Sequence, residues 1–247
     1  MKKTPYLLFI LLLVFSCKKP DERACLKKSG DNTKRIINPG NFSRIYLKEH
    51  LNYVMIQDTA NYVVVDGGEN LVGFVNCVID GDELVVSNEN KCKFLRYKTG
   101  KITVEIHFVN LTSLVYQGTE LLTNRNNWNF NQMSIVLKDA GGTMDLTNFN
   151  GNTLNLVNSH GWGDIKLSGS ANFFRAEMSG NGYFDSRNFN VQDSTSVISN
   201  SSTISRLNAD SCLLKAQLKS IGDVWYYGYP LQILKEELGA GKLVDMN

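Results

Sequence analysis

At 247 residues, with 20 Gly and only 4 Pro, the chain has room for one large, bend-rich β domain. Lysine and arginine number 26 against 24 aspartates and glutamates, so it lacks the basic field that a nucleic-acid partner requires. Its 3 histidines are dispersed without paired spacing, which argues against a zinc site, and no cofactor is expected.

Residues 1–16 read as an export signal. Lys2 and Lys3 precede an apolar run from Tyr6 to Phe15, which is too short to span a bilayer. The run closes on Val14-Phe15-Ser16-Cys17, which resembles the lipobox of bacterial lipoproteins. That resemblance implies cleavage before Cys17, lipid on Cys17, and a membrane partner held through it. It places the chain in the cell envelope, at the outer membrane or cell surface; the alternative is an ordinary signal peptide beside a coincidental Cys. Removal of the signal leaves the mature chain neutral and in an oxidising compartment.

Residues 17–35 are polar and charged and read as a tether. Cys25 interrupts it, and Cys92 lies in another polar stretch, so Cys25 with Cys92 is the first bridge to test. Cys77 and Cys212 sit in apolar stretches, and the sequence does not choose among the three pairings of four cysteines.

The domain proper is expected over residues 36–247, with an N-terminal part (36–116) and a repeat part (117–247). In the first part Phe42 to Leu47, Leu51 to Gln57, Tyr62 to Val65 and Lys101 to Phe108 read as strands. Asp80-Gly81-Asp82 marks a hairpin between Val72–Ile79 and Glu83–Ser87. His107 is expected to face solvent, His50 to lie in a loop and His160 to occupy a turn.

The second part repeats itself. Gly142-Thr143-Met144, Gly163-Asp164-Ile165, Gly182-Tyr183-Phe184, Ser202-Thr203-Ile204, Gly222-Asp223-Val224 and Gly241-Lys242-Leu243 follow one another at steps of 21, 19, 20, 20 and 19 residues. A fixed period of this size marks a stacked architecture. Alternation after each glycine indicates strand, and a strand of this length cannot bury its apolar face alone. If successive coils stack, Met144, Ile165, Phe184, Ile204, Val224 and Leu243 form one buried column. Asp145, Lys166, Asp185, Ser205 and Trp225 then form an outer ladder, and Gly or Asn at the corners supplies positive φ. A β-sandwich is the competing arrangement. The one helix expected is Tyr229 to Leu238, where Leu231, Leu234 and Leu238 share a face.

Phe42-Ser43-Arg44-Ile45, Tyr62-Val63-Val64-Val65, Asp80 to Val86, Asn90 to Leu95, the Gly units and the closing Ser220 to Pro230 together resemble the head GIN domain of auto-transporter adhesins. The resemblance covers about residues 36–247. It implies an all-β fold, a right-handed parallel β-helix like that of pectin lyases, with rungs of about 20 residues and an antiparallel hairpin element in the N-terminal half.

Related β-helices include polysaccharide lyases, which need clustered carboxylates. Here Asp164 and Asp223 stand about three rungs apart, roughly 14 Å, too far to act as a pair on one glycosidic bond. Ser159-His160-Gly161 lacks the partner carboxylates that catalysis requires. Exposed aromatics are the remaining signal: Trp162, Trp128 and Tyr227 are the candidate ligand contacts, while Trp225 and Tyr226 are expected to cap the open end of the core. The expected function is a lipid-anchored binding module or adhesin without catalysis, with an unidentified protein or glycan as ligand. A carbohydrate-active or glycan-binding surface component and a structural or signalling accessory are the alternatives.

Overall fold

The computed structural model describes residues 28–90 and 101–247. Cys17, Cys25 and Cys92, the export signal and most of the tether lie outside the described residues.

Strands in chain order are β1 (Asn32–Ile37), β2 (Arg44–Leu47), β3 (Asn52–Gln57), β4 (Tyr62–Gly68), β5 (Val75–Asp80), β6 (Glu83–Asn88), β7 (Thr103–Phe108), β8 (Ser113–Tyr116) and β9 (Leu121–Asn124). The long strands β10 (Trp128–Ala140), β11 (Thr143–Gly161), β12 (Asp164–Met178) and β13 (Phe184–Ser199) follow, each bent within its length. The chain closes with β14 (Ser205–Asn208), β15 (Leu213–Leu218), β16 (Val224–Tyr227), β17 (Gln232–Glu237) and β18 (Leu243–Asp245). They coil into a β-solenoid of about six turns with rungs of roughly 21 residues.

Two parallel stacks form its walls. One runs β6, β2, β8, the end of β10, the ends of β11, β12 and β13, then β15 and β17. The other runs β7, β3, β9, the starts of β11, β12 and β13, then β14, β16 and β18. Spatial order departs from chain order at the start: the β2–β3 rung is sandwiched between β6–β7 and β8–β9. Parallel stacking therefore begins well before Gly118, and the N-terminal part belongs to the same solenoid.

That end is closed by antiparallel strands. β5 pairs with β6 through the expected Asp80-Gly81-Asp82 turn, with Gly81 at φ 64. β4 pairs with β7, and β1 with β4. Residues 32–35, expected in the tether, are thus part of the domain. Lys34 and Arg35 on β1 put charge on the outermost strand, a common guard against edge-to-edge pairing.

Inside, Ile45, Leu84, Leu114, Ile135, Leu156, Ala176, Val197 and Ala216 stack along one wall, buried in every case. The facing wall stacks Val104, Tyr53, Leu122, Met144, Ile165, Phe184, Ser205, Val224 and Leu243. Each fully buried aliphatic side chain contributes about 1.5–3 kcal/mol of transfer free energy. The expected column is corrected at one place: Ser205, not Ile204, is its buried member, and Ile204 is half-buried beside it. The segment before β14 carries one more residue than the glycine alignment allows, so Thr203 stands at the glycine position. Its hydroxyl donates to Gly182 O at 2.9 Å and lies 2.9 Å from Ser201 Oγ, replacing the missing glycine with a hydrogen-bonded bend.

The repeated glycines meet a different demand from the one expected. Gly142, Gly163, Gly182, Gly222 and Gly241 have no positive φ. A Cβ at Gly182 would overlap Gly163 O, and one at Gly222 would overlap Thr203 O, so these bends need glycine for close backbone approach. Positive φ falls at the second corner of some rungs, at Asn148 (φ 51), Gly169 (φ 135) and Gly228 (φ 88). The aspartates after the glycines complete the bend. Asp164 Oδ1 accepts from Tyr183 N at 2.8 Å and Asp223 Oδ1 from Lys242 N at 2.8 Å, each binding the next rung.

The expected helix over Tyr229–Leu238 is instead strand β17, parallel to β15. Among the described residues nothing stacks on the far side of this rung, so it lost the alternation that signals a strand. Its inward sites carry Ile233, Lys235 and Glu237, and Glu237 holds Lys235 at 3.2 Å and Lys242 at 3.0 Å.

The glycine argument gives a stability test. Gly182→Ala should cost about 3 kcal/mol and lower Tm by roughly 6–12 °C, because a backbone carbonyl cannot move aside. Gly141→Ala should stay within about 1 kcal/mol, since its Cβ would meet only Thr119 Cγ2 at 3.8 Å. Thermal melts of the two variants decide the matter.

Candidate functional site

The outer surface of β13, β14 and β16 carries a compact cluster of rings and guanidinium groups. Phe184 and Ser186 point inward, so Tyr183, Asp185 and Arg187 point out. On the following rungs Leu207 and Tyr226 are buried, and Arg206, Trp225 and Tyr227 flank them on the outside. Register places Asp185 beside Arg206 and Arg206 beside Trp225.

The polar contacts are specific. Arg187 Nε donates to Asp185 Oδ1 at 3.0 Å and its Nη2 to Oδ2 at 2.7 Å, while its backbone N–H donates to Oδ1 at 3.1 Å. The Tyr183 hydroxyl donates to Asp185 Oδ2 at 2.9 Å. The guanidinium of Arg206 lies 4.9 Å from the Tyr183 ring centroid and 4.8 Å from that of Trp225, a cation held between two π faces. Arg187 reaches across the intervening rung to the Tyr227 ring at 5.5 Å.

Partial burial alone would raise the Asp185 carboxyl. The Arg187 hydrogen bonds and the Tyr183 hydroxyl outweigh it and hold the group at about 2. Burial and the neighbouring carboxylate raise the Tyr183 phenol. The cluster therefore keeps Asp185 ionised and tied to Arg187 at neutral pH.

The aromatic residues singled out in the sequence divide. Trp128 is 1% exposed and cannot meet a ligand at the surface; it stands in register with buried Phe149 and packs between Phe108 and Phe149, each 4.9 Å away. Trp162 stands 72% exposed at the bend between β11 and β12. Tyr227 belongs to the ring–guanidinium cluster. Tyr226 is buried in the last rungs, but Trp225 faces outward rather than capping the core. Tyr183, Asp185, Arg187 and Arg206 were not singled out as a group. The available signal was alternation of charged and aromatic residues at outward positions of successive rungs. Aligning Ser202 with the glycines hid it by putting Ser205, rather than Arg206, next to Asp185.

A second polar cluster lies near the antiparallel end. His107, expected in solvent, is buried, because β4 covers its strand. The Tyr62 ring stacks on it at 3.9 Å and Asp58 Oδ2 lies 2.8 Å from Nδ1. Its Nε2 faces Glu105 Oε2 at 3.9 Å, and Glu105 in turn pairs with Arg125. Hydrogen bonds from Thr59 N–H and His107 lower the Asp58 carboxyl, and Arg125 lowers that of Glu105. Carboxylates thus face both imidazole nitrogens, and Glu105 links the ring to its ion pair with Arg125. His50 (φ 67) and His160 (φ 58) both take turn conformations. Cys77 and Cys212 are free, and burial pushes the Cys77 thiol up to about 11. Among the described residues, no three His, Cys, Asp or Glu side chains gather to hold a metal, and no helix is long and apolar enough to cross a membrane.

The fold is a parallel β-solenoid that displays outward side chains from successive rungs along its walls. Residues 41–230 match the family described as "Putative auto-transporter adhesin, head GIN domain", and the chain belongs to that family. Among solved structures, a "putative adhesin" from Bacteroides fragilis NCTC 9343 superposes with a TM-score of 0.77 at 20% identity, covering 87% of this chain and 97% of that one. A "putative lipid binding protein" from Parabacteroides distasonis ATCC 8503 gives 0.60 at 18% identity, covering 88% and 98%. A "putative adhesin" from Parabacteroides merdae ATCC 43184 gives 0.54 at 19% identity, covering 89% and 98%. At these identities the likeness shows the fold alone. None of the curated proteins matches the chain.

The lowered carboxylates set the acid response. Asp185 and Glu237 both titrate at about 2 in the folded chain, against ordinary values near 4 when unfolded. Folded chains therefore bind fewer protons than unfolded ones, and stability rises with pH through this window. The contribution should be complete above about pH 5 and lost as pH falls toward 2. Urea melts at pH 6, 4 and 2.5 should show a falling midpoint, with a shallower fall in Asp185→Asn.

Proposed function

We propose that this chain is an exported, lipid-anchored binding module of the cell envelope, an adhesin that acts through its outer face and performs no catalysis. One observation carries the reading: Tyr183, Arg187, Arg206, Trp225 and Tyr227 assemble on successive rungs into one outward surface. Rings with a polar edge beside guanidinium groups are the composition enriched where proteins bind partners. Membership of an adhesin family supports a surface role. The positive end, the apolar run and Cys17 support export and acylation. The perturbed carboxylates are each held by arginine, lysine, histidine or backbone N–H partners, an arrangement suited to a rigid scaffold.

Two measurements test this. Cys17→Ser should move the chain from the membrane to the soluble fraction and abolish labelling by radioactive palmitate; an unchanged membrane fraction and label would remove the anchor from the reading. Vesicles carrying the full chain should adhere to cell surfaces and immobilised polysaccharides. Trp225→Ala with Tyr227→Ala should reduce that adhesion about tenfold or more, as expected for loss of central aromatic contacts. Loss in Trp162→Ala, with the double variant unaffected, would reassign binding to the β11–β12 bend.

A further inference from the structure

We infer that Arg206 is a ready-made fork for the carboxylate of an acidic, uronate-bearing glycan. The inference rests on the outer-face reading above and names its ligand class.

The argument begins with a missing partner. In a parallel ladder, residues in register on adjacent strands lie about 4.8 Å apart, so Asp185 is the natural counter-ion of Arg206. Asp185 does not serve that role. Its two oxygens are taken by Arg187 and by the Tyr183 hydroxyl. Among the described residues no ion pair or side-chain hydrogen bond engages the Arg206 guanidinium. Two rings hold it instead, Tyr183 at 4.9 Å and Trp225 at 4.8 Å, from the rungs on either side of β14.

A guanidinium stacked in this way has lost much of its rotational freedom before any ligand arrives, so less is lost when two parallel hydrogen bonds form. A planar carboxylate matches that fork. Charge agrees with it. Within the cluster Asp185 cancels Arg187, and Arg206 remains as the uncompensated positive group.

A glycan fits this face better than an acidic peptide. An extended peptide gains most from adding to an unpaired strand edge. Here β14 is paired on both sides, with β13 and β16, and β16 with β14 and β18. What the face offers is rings, amides and hydroxyls. Asn208, which donates to Asn190 Oδ1 at 2.8 Å, lies beside Arg206 on the outside of β14, and Tyr227 is its neighbour on β16. Ring faces with polar edges, and side chains able to donate and accept, are what hydroxyl-rich sugar rings require.

The test uses the full chain in detergent, with polygalacturonate, its fully methyl-esterified form and poly-glutamate as probes, followed by titration calorimetry. Wild type should bind polygalacturonate, more weakly as salt rises, and bind the ester at least about tenfold more weakly. Arg206→Gln should lose about tenfold or more on the acid form alone. Arg206→Lys should recover little of it, since a point charge does not reproduce the fork. Thermal melts equal to wild type confirm that both variants are folded. Equal binding of acid and ester, unchanged binding by Arg206→Gln, or no binding of polygalacturonate would overturn the inference. Poly-glutamate bound as tightly as polygalacturonate would overturn the assignment to a glycan. The outer-face reading is judged separately, by whether the Trp225 and Tyr227 substitutions abolish adhesion in the vesicle assay.

Discussion

The structure depends on how closely one coil of backbone approaches the next. At each principal bend a carbonyl of one rung accepts a hydrogen bond from the following rung, as Gly142 O does from Asp164 N at 3.0 Å and Ser201 O from Gly222 N at 3.0 Å. Any side chain at the glycine would occupy the space that this contact needs. At the two bends where aspartate follows the glycine, Asp164 and Asp223 then accept a backbone N–H from the rung beyond. Gly-Asp is therefore a small device that fixes spacing twice, once by the absence of a Cβ and once by a side-chain acceptor. With the bends fixed, strand pairing and the inner columns follow.

Because spacing is set at the bends, a change in the length of a single rung propagates to both faces. The extra residue before β14 moves Ser205 into the core and Arg206 to the outside next to Asp185. A serine in an apolar column gives up transfer free energy that an isoleucine would supply, on the order of 2 kcal/mol. In return an arginine is delivered to a slot between Tyr183 and Trp225. The rung that departs from the repeat is the one that builds the candidate site.

Much of the architecture was legible because a solenoid writes its geometry into the chain at a fixed period. Met144, Ile165, Phe184, Val224 and Leu243 were placed in one column from their spacing alone, and register confirms them. What was not legible has physical causes. Among the described residues the terminal rung has one stacked neighbour instead of two, so Leu231, Leu234 and Leu238 were free to fall at helical spacing in a segment that became an exposed strand. His107 looked solvent-facing because alternation reports which side of a strand a residue occupies, not whether an antiparallel neighbour covers that side. Trp128 looked like a surface aromatic because proximity to turns does not tell whether a bend turns its side chain in or out. The site was hidden for a simpler reason. Its members come from three rungs, and a one-residue error in the alignment of one rung separates them.

The two ends of the solenoid solve the same problem differently, and the contrast bears on where a ligand can sit. An open stack exposes unpaired backbone groups and the end of its apolar column. At the N-terminal end β4 and β5 turn antiparallel and cover it. At the other end Ile233 and Leu243 still continue the columns, but Lys235, Glu237 and Asp245 take the inward sites beside them, and Glu237 gathers Lys235, Lys242 and Leu243 N–H around one carboxylate. Charge at inward sites of the last rung makes continued stacking costly, since a further coil would have to desolvate it. The walls are thereby left as the surfaces on which outward side chains vary without disturbing the core. The ring–guanidinium cluster lies on such a wall, its β16 members one rung from the charged end, where the scaffold is still paired on both sides and holds each side chain at a fixed spacing from the next.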